Sequence, residues 1–420
     1  MGFLNAFLSL GETSVVLMGA FLIAFIGYAL GSVRIRGLCL GTAGVFLVAL
    51  AFGYLYTLPG LQNIAVLGKF YVEDATHSIV SKYKFLESVG LVLFVTSVGF
   101  IAGPNFFRNL KLNAKSYVPL GVIIVGIGAI LTLLFALIPG IGSAFSTGVL
   151  SGALTSTPAF SAAKAVSQEE GLVALGHAIA YPFGVVGVVL FVQIVPRLLR
   201  CDMERERALI NMDRIEVHAA SRSGKSTLLD EFGFGAFGLA VVLGILLGAV
   251  KIPLTGKGFS GACFSLGNTG GPLIVALILG HFGRIGRLSL EIPTKTLHTF
   301  RELGLMLFLL GAGVEGGVEL VAQLQASQYG AMLILYGFLA GVIMTLLPMI
   351  VSYVLARRVF KLQLLNALGS LTGGMTSTPA LGTLIDVAGT DNVAAAYAST
   401  YPVALVLIVL ASNLIGTFLP

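Results

Sequence analysis

The sequence has no tryptophan in 420 residues and little charge: Lys, Arg, Asp and Glu together make up 10%. A soluble globular domain carries roughly 25% charged residues. With less than half that share, too little polar surface exists to cover the molecule in water. A soluble enzyme, a secreted disulfide module and a disordered chain are excluded. Cysteine is also scarce. Cys39, Cys201 and Cys263 lie far apart and no pair has metal-ligand spacing, so no metal site is expected. Residues 1–14 lack a basic region, so no cleaved signal peptide is expected. The net charge of +6 gathers on no face or tail, which argues against nucleic-acid binding. Without tryptophan, an interfacial belt must rest on tyrosine and basic side chains.

What is abundant points one way. Hydrophobic residues make up 56% of the chain, and the mean hydropathy is +0.97. Glycine accounts for 54 of 420 residues, nearly twice the usual share of about 7%. Glycine lets membrane helices approach closely. The composition predicts an all-α polytopic membrane protein.

Apolar runs long enough to span a bilayer fall near 14–31, 38–56, 87–107, 117–138 and 172–196, and then near 233–250, 268–283, 302–323, 330–355 and 393–417. Two further apolar segments, 142–166 and 364–386, are broken by Gly, Ser, Thr and Pro. A polar stretch from Arg197 to Glu231 separates the halves. It reads as a solvated cytoplasmic linker with some helix over 202–211. The expected domains are a first membrane repeat over 1–196, the linker over 197–231 and a second membrane repeat over 232–420.

The halves match in order. Gly27-Tyr-Ala-Leu-Gly31 answers Gly244-Ile-Leu-Leu-Gly248, and Gly90-Leu-Val-Leu-Phe94 answers Gly304-Leu-Met-Leu-Phe308. The strongest match sets Gly148-Val-Leu-Ser-Gly152-Ala-Leu-Thr155-Ser156-Thr157-Pro158 against Gly369-Ser-Leu-Thr-Gly373-Gly-Met-Thr376-Ser377-Thr378-Pro379. His177-Ala-Ile-Ala-Tyr181-Pro182 answers Tyr397-Ala-Ser-Thr-Tyr401-Pro402.

Basic loops stay cytoplasmic. With Arg34 and Arg36 inside, Arg108, Lys111 and Lys115 also fall inside, as does the linker. The segment 142–166 must then enter and leave on one side, and the same holds for 364–386. The expected architecture is two inverted repeats, each of five transmembrane helices plus one re-entrant hairpin, with both termini outside. Lys251 and Lys257 break the charge rule on the outer side. Six crossings per half with parallel repeats is the alternative.

Inverted repeats with interrupted helices mark secondary transporters, whose sites lie where the broken segments meet. Pro158 and Pro379 each remove an amide and disfavour helix just before them. Gly152 and Gly373 permit close approach. Thr155, Ser156 and Thr157, with Thr376, Ser377 and Thr378, offer hydroxyls and free amides. A helix beginning after each proline would direct its positive end at a carboxylate.

These duplicated Thr-Ser-Thr-Pro-Ala blocks and the paired Gly-Leu-x-Leu-Phe blocks resemble the aspartate:alanine exchanger family. The resemblance covers nearly all of both halves. It implies exchange or export of small carboxylates such as aspartate, alanine or succinate, by a homodimer in a bacterial inner membrane. Members of that family commonly carry a large cytosolic insert between the halves, where this chain has only 197–231. A channel or passive pore for small anions is the alternative function.

The remaining candidates are graded by position. His177 and Tyr181 lie one helical turn apart, as do Tyr397 and Tyr401, and are expected to face the hairpin tips; His177, Tyr181 and Tyr401 join the substrate-binding set. Lys164 and Asp386 follow the hairpins. Glu315 and Glu319 lie in an apolar run, where a carboxylate is a functional candidate. Glu87 and Glu302 read as structural residues at helix starts. Ala219-Ala-Ser-Arg-Ser-Gly224-Lys225-Ser226 fits a relaxed phosphate loop, but the domain it needs is missing. No cofactor and no enzymatic activity are expected.

Overall fold

A helix that is apolar all round belongs in a large core or in a bilayer, and this chain forms such helices repeatedly. The structure, a computed structural model, describes residues 11–33, 42–63, 67–73, 77–215, 230–253, 258, 263–285, 288–326 and 330–419. Among them are fourteen α-helices: α1 (Glu12–Ser32), α2 (Ala43–Tyr56), α3 (Ser78–Ala136), α4 (Gly142–Ala153), α5 (Thr157–Val166), α6 (Glu170–Leu198), α7 (Met203–Ile215), α8 (Phe234–Gly248), α9 (Gly267–Phe282), α10 (Thr294–Ala326), α11 (Gly330–Arg358), α12 (Leu364–Gly374), α13 (Thr378–Ala388) and α14 (Val393–Phe418). Two small antiparallel ribbons flank α9. One pairs Ile252 with Phe264, the other Arg284 with Ser289.

Among the described residues, seven stretches are long and apolar enough to cross a membrane: Glu12–Ser32, Ser78–Pro104, Lys115–Ala136, Gly171–Leu198, Thr294–Val318, Met332–Arg358 and Val393–Phe418. Large side chains such as Phe21, Phe25 and Leu246 stand exposed on these and neighbouring helices, as contact with lipid allows. Three of the ten expected spans are shorter among the described residues, at Gly44–Tyr56, Phe234–Gly248 and Gly270–Phe282. At 1.5 Å per residue a 15-residue helix rises only about 22 Å, less than the roughly 30 Å hydrocarbon core.

The expected loop at Arg108–Lys115 is helical instead, because α3 runs without interruption through it. Residues 105–114 contain neither glycine nor proline, so nothing in the sequence ends the helix there. The charged stretch still separates two apolar spans. Glu87 and Glu302 are likewise not at helix starts; each lies more than two turns inside α3 or α10.

The chain forms two compact units, each drawing on both halves: Met1–Leu91 with Leu303–Gly330, and Val92–Glu302 with Ala331–Pro420. In the first unit, α1 and α2 meet through small residues, with Gly27 against Val45 and Gly44 against Gly27 and Gly31. α2 in turn meets α10, with Gly53 against Val314 and Gly317, and Gly313 against Phe46 and Ala49. Buried Tyr56 and Tyr83 place their hydroxyls 3.4 Å apart. Lys84 pairs with Glu315 at 2.5 Å, while the Glu319 side chain lies outside the described residues.

The second unit repeats this pattern with the roles of the halves exchanged. α8 and α9 meet with Gly244 against Pro272 and Gly271 against Gly244 and Gly248. α9 then meets α3, with Gly280 against Phe100 and Gly103, and Gly99 against Leu273 and Ala276. Phe100, Phe237, Ala240, Ala276 and Leu290 form one core of this unit. Elsewhere in it α4 packs on α6 and α12 on α14, while α5 packs on α14 and α13 on α6.

Helix α7 forms where some helix was expected between the halves, but at Glu206, Arg207 and Ile210 it packs on the membrane helices and is not solvated. Glu206 accepts the backbone N–H of Leu364 at 3.2 Å, and Arg207 Nε donates to the carbonyl of Ala388 at 2.8 Å. Ile210 is buried. Arg34, Arg36, Lys257, Arg287 and the phosphate-loop-like 219–226 lie outside the described residues.

Candidate functional site

Both Thr-Ser-Thr-Pro segments break a helix in the same way. Helix α4 ends at Ala153, and Thr155 N–H then donates to Gly152 O at 3.0 Å and Ser156 N–H to Ser151 O at 2.8 Å. Helix α12 ends likewise: Thr376 N–H donates to Gly373 O at 3.1 Å and Ser377 N–H to Thr372 O at 3.0 Å. This pair of bonds is the Schellman stop, which needs a left-handed residue and usually takes glycine. Here that residue is threonine both times, at φ 53° for Thr155 and 51° for Thr376. A β-branched residue at positive φ is a true outlier, costing about 1–3 kcal/mol and found mainly at functional sites. After one extended residue, Ser156 or Ser377, helices α5 and α13 begin with proline in their first turn. Proline suits that place because its missing N–H would have no partner there.

The strained threonines reach across to each other's segment. Thr376 Oγ1 donates to Leu154 O at 2.6 Å, and Thr155 Oγ1 to Met375 O at 3.3 Å. Each hydroxyl thereby satisfies a carbonyl left over at the end of the opposite helix. The sequence motif contained the threonines, but their conformation and reciprocity belong to the fold.

The two serines that follow are not equivalent. Ser156 Oγ accepts the N–H of Ala159 at 3.3 Å and caps α5. Ser377 makes no side-chain cap on α13. Its hydroxyl is buried and has no hydrogen-bond partner among the described residues. Pro158 and Pro379 sit inside the first turns, so the helices begin just before the prolines and not after them, and Thr378 is buried with its hydroxyl 3.5 Å from that of Tyr397. The Thr157 side chain lies outside the described residues.

Helices α6 and α14 back the two breaks at matched positions. A Cβ added at Gly152 would meet His177 O at 2.6 Å, and one at Gly373 would meet Tyr397 O at 2.5 Å. Only glycine allows this approach, and it brings two stacked ring pairs beside the segments. His177 and Tyr181 lie 5.1 Å apart, Tyr397 and Tyr401 5.3 Å apart. His177 also stacks on Phe160 at 4.4 Å and bonds through Nδ1 to Ser151 Oγ at 2.9 Å. Ser151 was not singled out in the sequence, although it precedes Gly152 on the packed face. Ser370 and Thr400 form a further buried hydroxyl pair at 2.8 Å.

The charged candidates stand apart from the tips. Lys164 lies over the Phe160 ring at 5.3 Å, and Asp386 is exposed on α13. Arg301 is buried and pairs with Asp391 and Glu302, while His298 Nε2 lies 2.9 Å from Asp391. At the start of α8, the Asp230 carboxylate accepts the N–H groups of Phe232, Phe234 and Gly235 at 3.0, 2.8 and 2.7 Å. Those donors hold its pKa below the usual carboxylate value. No group of three or more His, Cys, Asp and Glu with metal-binding potential occurs among the described residues.

Comparison with known proteins agrees with this helical, duplicated architecture. A family model for a permease membrane region matches the chain twice, over residues 19–197 and 236–417. An uncharacterized transporter of Bacteroides fragilis is 25% identical, with 94% of this chain and 97% of that protein covered. Uncharacterized transporters of Desulfotalea psychrophila (24% identical; 94% and 95% covered) and Geobacter sulfurreducens (25%; 96% and 98%) are similar to the same extent. The alignment with the Bacteroides protein extends over 550 residues, more than the 420 of this chain, so that relative carries segments absent here. With seven candidate spans among the described residues and two matched repeats, this chain is a multi-pass membrane transporter, and it belongs to the Asp-Al_Ex family of predicted permease membrane regions.

Proposed function

We propose that the chain is a secondary transporter that exchanges or exports small carboxylates, with the substrate held at the two Thr-Ser-Thr-Pro breaks. The observation that carries this reading is the pair of left-handed threonines bonded across the tips, beside a buried Ser377 hydroxyl that lacks a partner among the described residues. Two helices, α5 and α13, start at these tips. Their positive ends and first-turn amides suit a carboxylate without a buried arginine. The unpartnered hydroxyl supplies a donor on the same side. The family's designation supports aspartate and alanine as the first substrates to try, with succinate beside them.

In this reading 1–196 and 232–420 are inverted membrane repeats of five crossings and one re-entrant hairpin, joined by the cytoplasmic segment 197–231. The exchange of roles between halves in the helix packing supports the inversion. Both termini lie outside the bacterial inner membrane, two copies form a homodimer, and the hairpins with their backing helices move as an elevator against the rest. His177, Tyr181 and Tyr401 line the approach to the tips.

The test is counterflow in proteoliposomes loaded with aspartate, alanine or succinate. An exchanger is accelerated by substrate on the far side, whereas a pore is not. Thr157→Ala, Ser377→Ala and Thr378→Ala are expected to raise the half-saturating concentration. Wild-type uptake and affinity in all three would remove the tips from the site, and uptake indifferent to internal substrate would replace the exchanger by a channel.

A further inference from the structure

Helix α7 lies between the two segments matched by the family model, so it is outside the shared membrane region. It nevertheless makes two charged side-chain contacts with the second broken segment. Adjacent residues of α7 divide the two feet of that segment between them. Glu206 Oε2 accepts the N–H of Leu364, the first residue of α12. Arg207 Nε donates to the carbonyl of Ala388, the last residue of α13. The charges suit their places: a carboxylate at a helix N-terminus and a guanidinium at a C-terminus each oppose the helix dipole. Both satisfy backbone groups that no turn of their own helix can reach.

The chain after α13 is shaped to admit the arginine. Gly389 takes φ +61°, and a Cβ there would meet the Arg207 guanidinium at 2.7 Å. The first broken segment is held differently: Ser143, at the start of α4, donates its hydroxyl to Leu419 O at 2.8 Å, and the outgoing helix is followed by Ser167, whose hydroxyl accepts the N–H of Glu169. The two segments thus share the same helix break at their tips but are unlike at their feet.

We infer that Glu206 and Arg207 are positioning residues for transport, by which the segment between the repeats fixes the feet of the second broken helix and so the aim of its tip. This rests on the tip being the substrate site. A brace at the feet sets the angle between α12 and α13, and with it the distance between Ser377, Thr378 and their counterparts. The same contacts give the linker a mechanical hold on that one segment: a displacement of α7 loosens both feet together.

Two measurements separate the brace from the site. Hydrogen exchange on the full chain in lipid reads the feet directly. Glu206→Ala and Arg207→Ala are expected to speed deuteration of 362–368 and 386–392 while leaving 143–166 as in wild type. Counterflow of aspartate or succinate reads the consequence: a half-saturating concentration raised about tenfold, the worth of one charge-assisted hydrogen bond, with recovery in Arg207→Lys and Glu206→Gln, which keep a donor and an acceptor and guard against misfolding. Unchanged exchange at the feet overturns the brace. Faster exchange with wild-type transport overturns its role in positioning. If the brace variants change transport while Ser377→Ala and Thr378→Ala do not, the brace stands and the tip site falls.

Discussion

Replacing Thr376 separates strain from bonding at the tip. The residue holds φ 51°, a region that costs a non-glycine residue about 1–2 kcal/mol. Its hydroxyl donates to Leu154 O at 2.6 Å from a buried position, and removing such a donor while its acceptor stays buried costs about 1–3 kcal/mol. Thr376→Ala keeps the strain and loses the bond, so it should be about 1–3 kcal/mol less stable than wild type. Thr376→Gly loses the same bond but relieves the backbone, so it should lie about 1–2 kcal/mol above the alanine variant, close to wild type. Transport should rank differently. Both variants lose the cross-tip bond and should be impaired alike, whereas Thr376→Ser keeps the hydroxyl and should retain activity. Denaturant titration of the detergent-solubilised protein and counterflow in proteoliposomes give the two rankings. Equal stability of the alanine and glycine variants would refute the strain, and wild-type transport by the glycine variant would refute the role of the bond.

Gly373→Ala puts a Cβ 2.5 Å from Tyr397 O, which should cost about 1–3 kcal/mol by overpacking; Gly126→Ala, where nothing lies within 4 Å, should be neutral or slightly stabilising in the same titration. Asp391→Asn removes the charge that faces buried Arg301 and His298 and should lower stability by about 1–3 kcal/mol, measured as a drop in the thermal midpoint in detergent. Asp230→Asn tests the α8 cap by its pH dependence. Because the folded pKa is lowered, the cap contributes fully above the unfolded carboxylate value of about 3.9 and is lost as pH falls through the folded value. The wild type should therefore lose stability between mildly and strongly acidic pH more steeply than the asparagine variant, and parallel profiles would show that the carboxylate adds nothing.

Features encoded in single positions were readable from the sequence, and features that need two distant segments were not. The breaks at Pro158 and Pro379 were visible because proline and the residues before it obey local sterics. The matched glycines were visible as a repeat, and Gly152 and Gly373 do mark close helix contacts. The helical passage through 105–114 is not legible from charge, because charge alone does not end a helix when glycine and proline are absent. The brace by Glu206 and Arg207 left no trace, since a carboxylate and a guanidinium in a polar stretch look solvated until Leu364 and Ala388 are placed beside them.

The location of backbone strain carries the last distinction. Four non-glycine residues take positive φ among the described ones: Thr155, Arg200, Lys361 and Thr376. Arg200 and Lys361 are exposed and follow the ends of α6 and α11, where a left-handed residue is an ordinary way to stop a helix. Thr155 and Thr376 are β-branched, shielded and placed at equivalent points of two repeats. Glycine would perform the same stop at lower cost, and the chain uses glycine freely elsewhere, as at Gly389 after α13. What glycine cannot supply is the hydroxyl that each threonine sends to the other segment. Strain tolerated twice, in return for a bond between the tips, indicates that the tips must be held to one another, and a contact that must form in one conformation is also the contact whose release can define another.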